Sequence, residues 1–384
     1  MDLSDIRVLD LTQFFPGPYA TQILRDYGAE VIKIERPERG DPARQLVDAA
    51  DDELSELFHA VNRGKKSITL DLTTPPGQQA FYELAKTADV VVEQFRPGVV
   101  DRLDIDYDTL TEYNSNIVYC SLTGYGQTGQ YHDQPGHDLT YLARSGFLSM
   151  NRKHSNARPT MPAIPIADAA GSAHAVIGIL TALLSRELSN SSGTYLDVSM
   201  TDALISFSQM ITQPALTGSA VHPGETTLTG KYPCYNIYET KDSRFIAIAA
   251  LKKKFWVGLC ETLNRTDLID YHRSPTAEIR EAVRSELADE INSYTLSTWK
   301  DEFSRTNIPF APVNTIEEAL NEDYLQNRGL IRNNSKTPPR IGIPVSDVAS
   351  SSESKMIPDL GEHTKEVLKE IDISDATRSK ILSE

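Results

Sequence analysis

Short apolar runs alternate with helical periodicities through the first hundred residues. Arg7 to Leu11 is an apolar run that ends at the turn-rich segment Phe14-Phe15-Pro16-Gly17-Pro18. Pro18 suits the first turn of a helix, where the missing N–H has no partner to lose. Tyr19 to Tyr27 then carries Ala20, Ile23 and Leu24 at helical spacing. Gly28 stops that helix, and Glu30 to Ile34 reads as the next strand. A strand, a helix and a strand in this order predict a parallel pair. Ser67 to Leu70, Val90 to Val92 and Ile117 to Ser121 read as further strands, with a helix over Gly77 to Thr87. The expected fold class is α/β, built on a large Rossmann-like, doubly wound parallel sheet.

The texture changes after about Leu139. Asp168 to Leu188 reads as a long helix rich in Ala and Gly, ending at Ser189-Asn190-Ser191-Ser192-Gly193. Thr194 to Met200 is a strand and Thr201 opens a helix. Gln213 to Gly230 is rich in Thr, Gly and Pro with little periodicity, the texture of a linker. Arg244 to Leu251 then reads as a strand, followed by amphipathic helices over Phe255 to Leu263 and Ile279 to Tyr294. Residues Asn333 to Lys355 are loop-like and Ser-rich, and Thr364 to Ile373 is a closing helix. The expected domains are a large one over residues 1–212, a linker over 213–230, a smaller α+β domain over 231–325, and a return to the large domain over 326–384.

Composition narrows the function. The 384 residues hold 54 Asp and Glu against 38 Lys and Arg, a net charge of −16. So acidic a chain repels phosphate backbones, which argues against nucleic-acid binding. Cys120, Cys234 and Cys260 are too widely and irregularly spaced for a disulfide framework or a zinc site, and point to a reducing compartment. The first residues lack the basic and apolar runs of a signal peptide. The longest apolar stretch, Ala175 to Leu184, is too short to span a bilayer. A cytoplasmic protein with no membrane partner is expected.

The familiar ligand signatures are missing: no G-x-G-x-x-G follows the first strand, and there is no P-loop, no G-x-S-x-G and no histidine pair at metal spacing. No metal and no tightly bound cofactor are expected. What remains are carboxylates and histidines beside small residues. Asp168 follows Pro162-Ala163-Ile164-Pro165-Ile166-Ala167 and precedes Ala169-Ala170-Gly171, so by itself it reads as a helix N-cap. The sharper reading is a carboxylate held where helix N–H groups also stabilise an oxyanion. A lone His137 is more often structural than catalytic. Lys252 to Lys254 read as a solvated run or an anion site. Arg36, Arg44, Arg63, Lys65, Lys66 and Arg96 each read as surface charges, yet their density near strand ends suits a phosphate-bearing ligand at the carboxyl edge of the sheet.

Taken in order, these segments resemble the class III CoA-transferase (CaiB/BaiF) family. The resemblance runs through Gly17-Pro18, Gly28-Ala29-Glu30-Val31-Ile32-Lys33-Ile34-Glu35-Arg36-Pro37, Gly40-Asp41, Asn62-Arg63-Gly64-Lys65-Lys66-Ser67 and Arg96-Pro97-Gly98-Val99. It continues through Gly124-Tyr125-Gly126, Gly136-His137-Asp138, Asp168, Leu196-Asp197-Val198-Ser199-Met200, Ala311-Pro312-Val313 and Gly361-Glu362-His363-Thr364. It implies an interlocked homodimer acting on an acyl-CoA thioester and an organic acid. It places the CoA phosphates at Arg36, Arg44, Lys65 and Arg96, with Gly124, Tyr125 and Gly126 at the ligand, and makes Asp168 the catalytic aspartate.

The family holds two chemistries. A transferase needs a carboxylate that attacks the thioester to form a mixed anhydride. A 2-methylacyl-CoA racemase needs an acid/base pair, which the resemblance places at His137 and Asp168, with a glutamate supporting the histidine. That glutamate falls at Lys252, whose charge disfavours a protonated imidazole. Some transferases carry a glutamine where this chain has Phe15. Acyl transfer asks only for Asp168 as the attacking group, so transfer is the expected activity. The racemase and a CoA-binding protein without chemistry are the alternatives.

Overall fold

Strands buried on both faces dominate the first part of the chain. The computed structural model describes residues 2–46, 55–189, 192–334, 337–342, 344–345 and 357–383. Six strands, β1 (Arg7–Asp10), β2 (Glu30–Glu35), β3 (Lys66–Thr69), β4 (Val90–Glu93), β5 (Val118–Thr123) and β6 (Thr194–Ser199), form one sheet in the order β3-β2-β1-β4-β5-β6. Every pairing is parallel, with Leu9 opposite Ile32 on one side and Val91 on the other. Val8, Leu9, Ile32 and Val90 to Val92 are all fully buried, as a parallel sheet covered by helices on both faces requires. The helices Pro16–Asp26, Pro75–Ala85 and Ile166–Ser189 supply crossovers. Strand order reverses between β1 and β4, so the crevice outside their carboxyl ends is where a doubly wound sheet binds its ligand.

The chain divides into two units. The first comprises Met1–Phe147, Pro162–Gln209 and Tyr324–Glu384; the second comprises Leu148–Met161 and Met210–Asp323. Both chain ends therefore build the first unit: Val367, Leu368, Ile371, Ile373 and Ile381 pack into the same core as Leu9, Ile32, Ile68 and Phe81. In the second unit β7 (Tyr235–Glu239), β8 (Phe245–Ala249) and β9 (Phe310–Pro312) form an antiparallel sheet. Trp256, Leu287, Trp299 and Phe303 fill its core. Each indole N–H is satisfied, Trp256 donating to Leu268 O at 3.1 Å and Trp299 to Ile291 O at 2.8 Å.

Four expectations change. The segment expected as a linker, 213–230, lies inside the second unit, and the helix Gln209–Leu216 runs into it through Pro214. Residues Leu148–Met161 also belong to that unit, an excursion that composition did not signal. Within the loop-like stretch from Asn333, β10 (Ile331–Asn334) and β11 (Thr337–Ile341) form an antiparallel pair; much of the remainder, to Lys355, lies outside the described residues. The apolar stretch around Ala175 to Leu184 is part of a 24-residue helix, long and apolar enough by itself to cross a bilayer. Its buried side, including Ala170, Gly171, Ala175 and Ile179, packs into the first unit instead. Cys120, Cys234 and Cys260 are buried and unpaired.

Candidate active site

Asp168 is the third residue of the helix Ile166–Ser189, inside its first turn rather than at its cap. The capping carboxylate comes from another segment. Asp138 opens the helix Asp138–Arg144, and its Oδ1 accepts the backbone N–H of Ala167 at 2.7 Å and of Asp168 at 3.2 Å. That satisfies two of the orphan donors of a helix start and leaves the Asp168 carboxyl free to point elsewhere. Among the described residues the Asp168 side chain accepts no hydrogen bond and pairs with no cation. Burial, reinforced by the nearby Asp138 charge, raises its pKa to about 7. Near neutrality the group is thus divided between acid and anion. Burial also raises Asp138, partly offset by the two N–H groups it accepts.

His137 immediately precedes Asp138, so the chain places it beside the Asp138–Asp168 contact. It is exposed, and its backbone N–H donates to Thr140 Oγ1 at 3.1 Å. One turn on, Tyr141 is buried. Its phenol is held well above the usual range by burial and by the charges of Asp168, Tyr125 and Asp138, with Arg96 opposing. These interactions gather Asp168, Asp138, Tyr141 and Arg96 into one neighbourhood.

The glycines around Tyr141 are explained by its ring. A Cβ on Gly124 would stand 2.4 Å from Tyr141 Cε1, and one on Gly136 would meet the same atom at 2.4 Å. The ring is clasped by two backbones that no side chain can share. Tyr125 packs edge-on against it, centroids 5.1 Å apart at 88°. Gly126 takes φ +82 beside Asp197, whose carboxylate accepts the Gln127 N–H. Gly124 and Gly126, expected at the ligand, therefore have packing and turn duties that account for them.

The basic residues separate into two groups. Lys65 is 2% exposed, and its Nζ donates to Asp10 Oδ2 at 2.9 Å, Thr21 Oγ1 at 2.8 Å, Asn62 Oδ1 at 2.9 Å and Pro18 O at 3.0 Å. Arg44 is 7% exposed, forks onto both oxygens of Glu35 at 2.8 Å, and lies 4.0 Å over the Phe58 ring. Both were expected on the CoA phosphates; both are spent on internal carboxylates, which a buried cation requires. Arg36 and Arg96 are exposed and have no ion-pair partner among the described residues.

Arg36 lines a cavity of about 520 Å³ at the carboxyl ends of the first four strands in sequence. Leu11 and Gln13 come to it after β1, Pro37 and Arg39 after β2, Leu70 to Thr73 after β3, and Phe95 after β4. Arg39 and Gln13 were missed from sequence, although each sits just past a strand end. Among the described residues no group of three His, Cys, Asp or Glu is placed to hold a metal ion. In the second unit, Lys252 is exposed and precedes the helix Lys253–Thr262 without a side-chain bond to its N–H groups.

An α/β enzyme with a parallel-sheet crevice and an unpaired carboxyl beside it is what the first unit defines. CoA-transferase family III matches residues 3–364. The chain is similar to the succinyl-CoA:glutarate CoA-transferase of Mus musculus, 32% identical over 378 residues, covering 96% of this chain and 86% of that one. It is also similar to the alpha-methylacyl-CoA racemase of Homo sapiens, 30% identical over 381 residues and covering 97% and 94%. The crystal structure of a CAIB/BAIF family protein from Brucella suis superposes with TM-score 0.83 at 26% identity, covering 96% of this chain and 99% of that one. The chain belongs to CoA-transferase family III, and is an enzyme of the CoA-transferase class.

Proposed function

We propose that this enzyme moves CoA from an acyl-CoA to a free carboxylic acid, at least one of the two being dicarboxylic, through a mixed anhydride on Asp168. The Asp168 carboxylate attacks the thioester carbonyl and CoA leaves as thiolate, giving an acyl–aspartyl anhydride. The thiolate then attacks the aspartyl carbonyl and releases the donor acid, leaving CoA on Asp168. The acceptor carboxylate displaces it to form a second anhydride, and the thiolate takes the acceptor acyl group, restoring Asp168. The observation that carries this is the Asp168 carboxyl itself, partly buried and, among the described residues, with neither a hydrogen-bond donor nor a cation to quench it. Dicarboxylic substrates follow from the similarity to the succinyl-CoA:glutarate enzyme.

Arg36 and Arg96 are the phosphate partners this reading keeps, with Arg39 added, and the cavity beside them takes part of the CoA. Coenzyme A is substrate here, not a resident cofactor. A homodimer is part of the same reading. Ile177, Leu184 and Leu188 lie 7 and 4 residues apart on one stripe of the helix Ile166–Ser189, exposed by 57%, 59% and 77%. Such a stripe is characteristic of an interface.

The racemase reading has one observation in its favour: a carboxyl with a pKa of about 7 is well matched to proton transfer at neutrality, and His137 lies beside it. Lys252, where the histidine's supporting glutamate is expected, weighs against it. Incubation with succinyl-CoA and a panel of organic acids, followed by mass spectrometry of the thioesters, tests transfer. A parallel incubation of 2-methylacyl-CoA in deuterated water tests racemisation. New thioesters without α-deuteration support the proposal; α-deuteration without exchange of thioesters hands the site to the racemase.

A further inference from the structure

Glu93 closes β4, in the middle of the sheet, and is 1% exposed. Its Oε2 accepts the backbone N–H of Phe95 at 2.7 Å, and the hydroxyl of Ser121, opposite it on β5, is a second donor to the carboxyl. No cation is paired with it among the described residues. The titratable groups that face it are Asp101 from the helix Val99–Arg102, Asp197 and Tyr195 from β6, and Tyr119 and Cys120 from β5. A carboxylate without a cation is expensive in such a place, and the activity proposed above does not use it.

The three residues that follow are each committed to a different part of the site. Gln94 Oε1 accepts the N–H of Gly17 at 3.1 Å, at the start of the helix Pro16–Asp26. That contact is tight, because a Cβ on Gly17 would stand 2.6 Å from the same oxygen. Phe95 lines the 520 Å³ cavity. Arg96 is near enough to Tyr141 for its charge to act on the phenol, which Asp168 also reaches. The bond from Phe95 to Glu93 is a local side-chain-to-backbone turn, the kind that fixes where a chain goes after a strand.

We propose that Glu93 is a positioning residue of this active site, holding residues 94–98 so that Gln94, Phe95 and Arg96 reach the helix start, the cavity wall and the Tyr141 neighbourhood together. Burial, opposed by the hydrogen bonds from Ser121 and Phe95 and reinforced by Asp101 and Asp197, raises Glu93 to about 7. The neutral acid keeps Oε2 as acceptor and carries no charge to desolvate. The Phe95 N–H donates to either form, and more strongly to the ionised one. The turn is therefore held in both protonation states. The kinetic readout rests on the CoA reading; the exchange readout does not.

The test is amide hydrogen exchange of Gln94, Phe95, Arg96 and Gly98 in the full chain, corrected for intrinsic rates, in wild type, Glu93→Gln and Glu93→Leu between about pH 6 and about pH 9. Glu93→Gln retains an acceptor and cannot ionise. It is expected to protect the segment as wild type does across the range, whereas Glu93→Leu lacks that protection at every pH. In parallel, Glu93→Leu raises the KM for acyl-CoA roughly tenfold, about the worth of one hydrogen bond. Glu93→Gln, which keeps the acceptor, keeps the wild-type KM. Indistinguishable exchange in all three proteins across the range overturns the proposal. Correct exchange behaviour with no thioester chemistry in any of them leaves the positioning role standing and sinks the CoA reading instead.

Discussion

The carboxylate of Asp138 holds the backbone of Asp168: its Oδ1 accepts that residue's N–H at 3.2 Å and the N–H of Ala167 at 2.7 Å. One acid thus does the capping and the other stays free to react. Asp138→Asn keeps an acceptor oxygen and removes the charge. Since that charge helps raise Asp168 to about 7, the acid limb of the pH–rate profile shifts to lower pH in this variant. Asp138→Ala loses the cap as well, at a cost of about 1 kcal/mol in stability. A pH–rate series with paired melting curves separates the two effects.

The same shift fixes a sign for stability. The folded-state pKa of Asp168 is raised from 3.8 to about 7, so folding favours the protonated form. The stability this gives is fully present below the ordinary aspartate value and is lost as pH rises through about 7. Asp168→Asn should therefore gain on wild type as pH rises across that window. It should also abolish transfer while keeping CoA affinity. Denaturant unfolding of both proteins at several pH values reads the first effect, and calorimetry with CoA reads the second.

Gly124 and Tyr141 make a packing prediction. With Tyr141 Cε1 at 2.4 Å and Cζ at 2.5 Å from the Cβ it would gain, Gly124→Ala forces the ring to move, a cost of about 1–3 kcal/mol for overpacking. The double variant with Tyr141→Leu should recover much of the melting temperature but not the activity. Additive losses in the double variant would show that the ring is not what excludes a side chain there.

The arginines and lysines divide into structural and ligand-facing groups by experiment as they do by burial. Lys65→Met strands the buried Asp10 carboxylate, which Lys65 and Lys33 together hold well below the usual range against the effect of burial; breaking such a pair costs about 3–5 kcal/mol. Arg36→Ala leaves the melting temperature nearly unchanged and raises the KM for acyl-CoA, with a weaker dependence on salt. A KM effect with intact stability in Lys65→Met would reverse the division.

Much of the sheet was legible because it is written in local patterns. Val90-Val91-Val92 and Glu30 to Ile34 are short apolar runs that suit strands buried on both faces, and each run fell on an observed strand. Asp168 stood out by resemblance, and the structure leaves its side chain unpaired. What local pattern does not carry is how distant segments meet. The roles of Asp138 and Gln94 depend on contacts 30 and 77 residues away along the chain. Arg44 and Lys65 look like surface cations in sequence, since only the fold shows Glu35 and Asp10 waiting for them. The excursion Leu148–Met161 joins the second unit through contacts that no composition shift announces.

The covalent role of Asp168 is tested most directly by trapping. Enzyme mixed with succinyl-CoA and quenched with hydroxylamine, then digested and read by mass spectrometry, should yield a hydroxamate on the peptide that carries Asp168. The label should be absent without acyl-CoA and absent in Asp168→Asn. A full turnover of thioesters with that peptide unlabelled, or turnover undiminished in Asp168→Asn, would contradict the account.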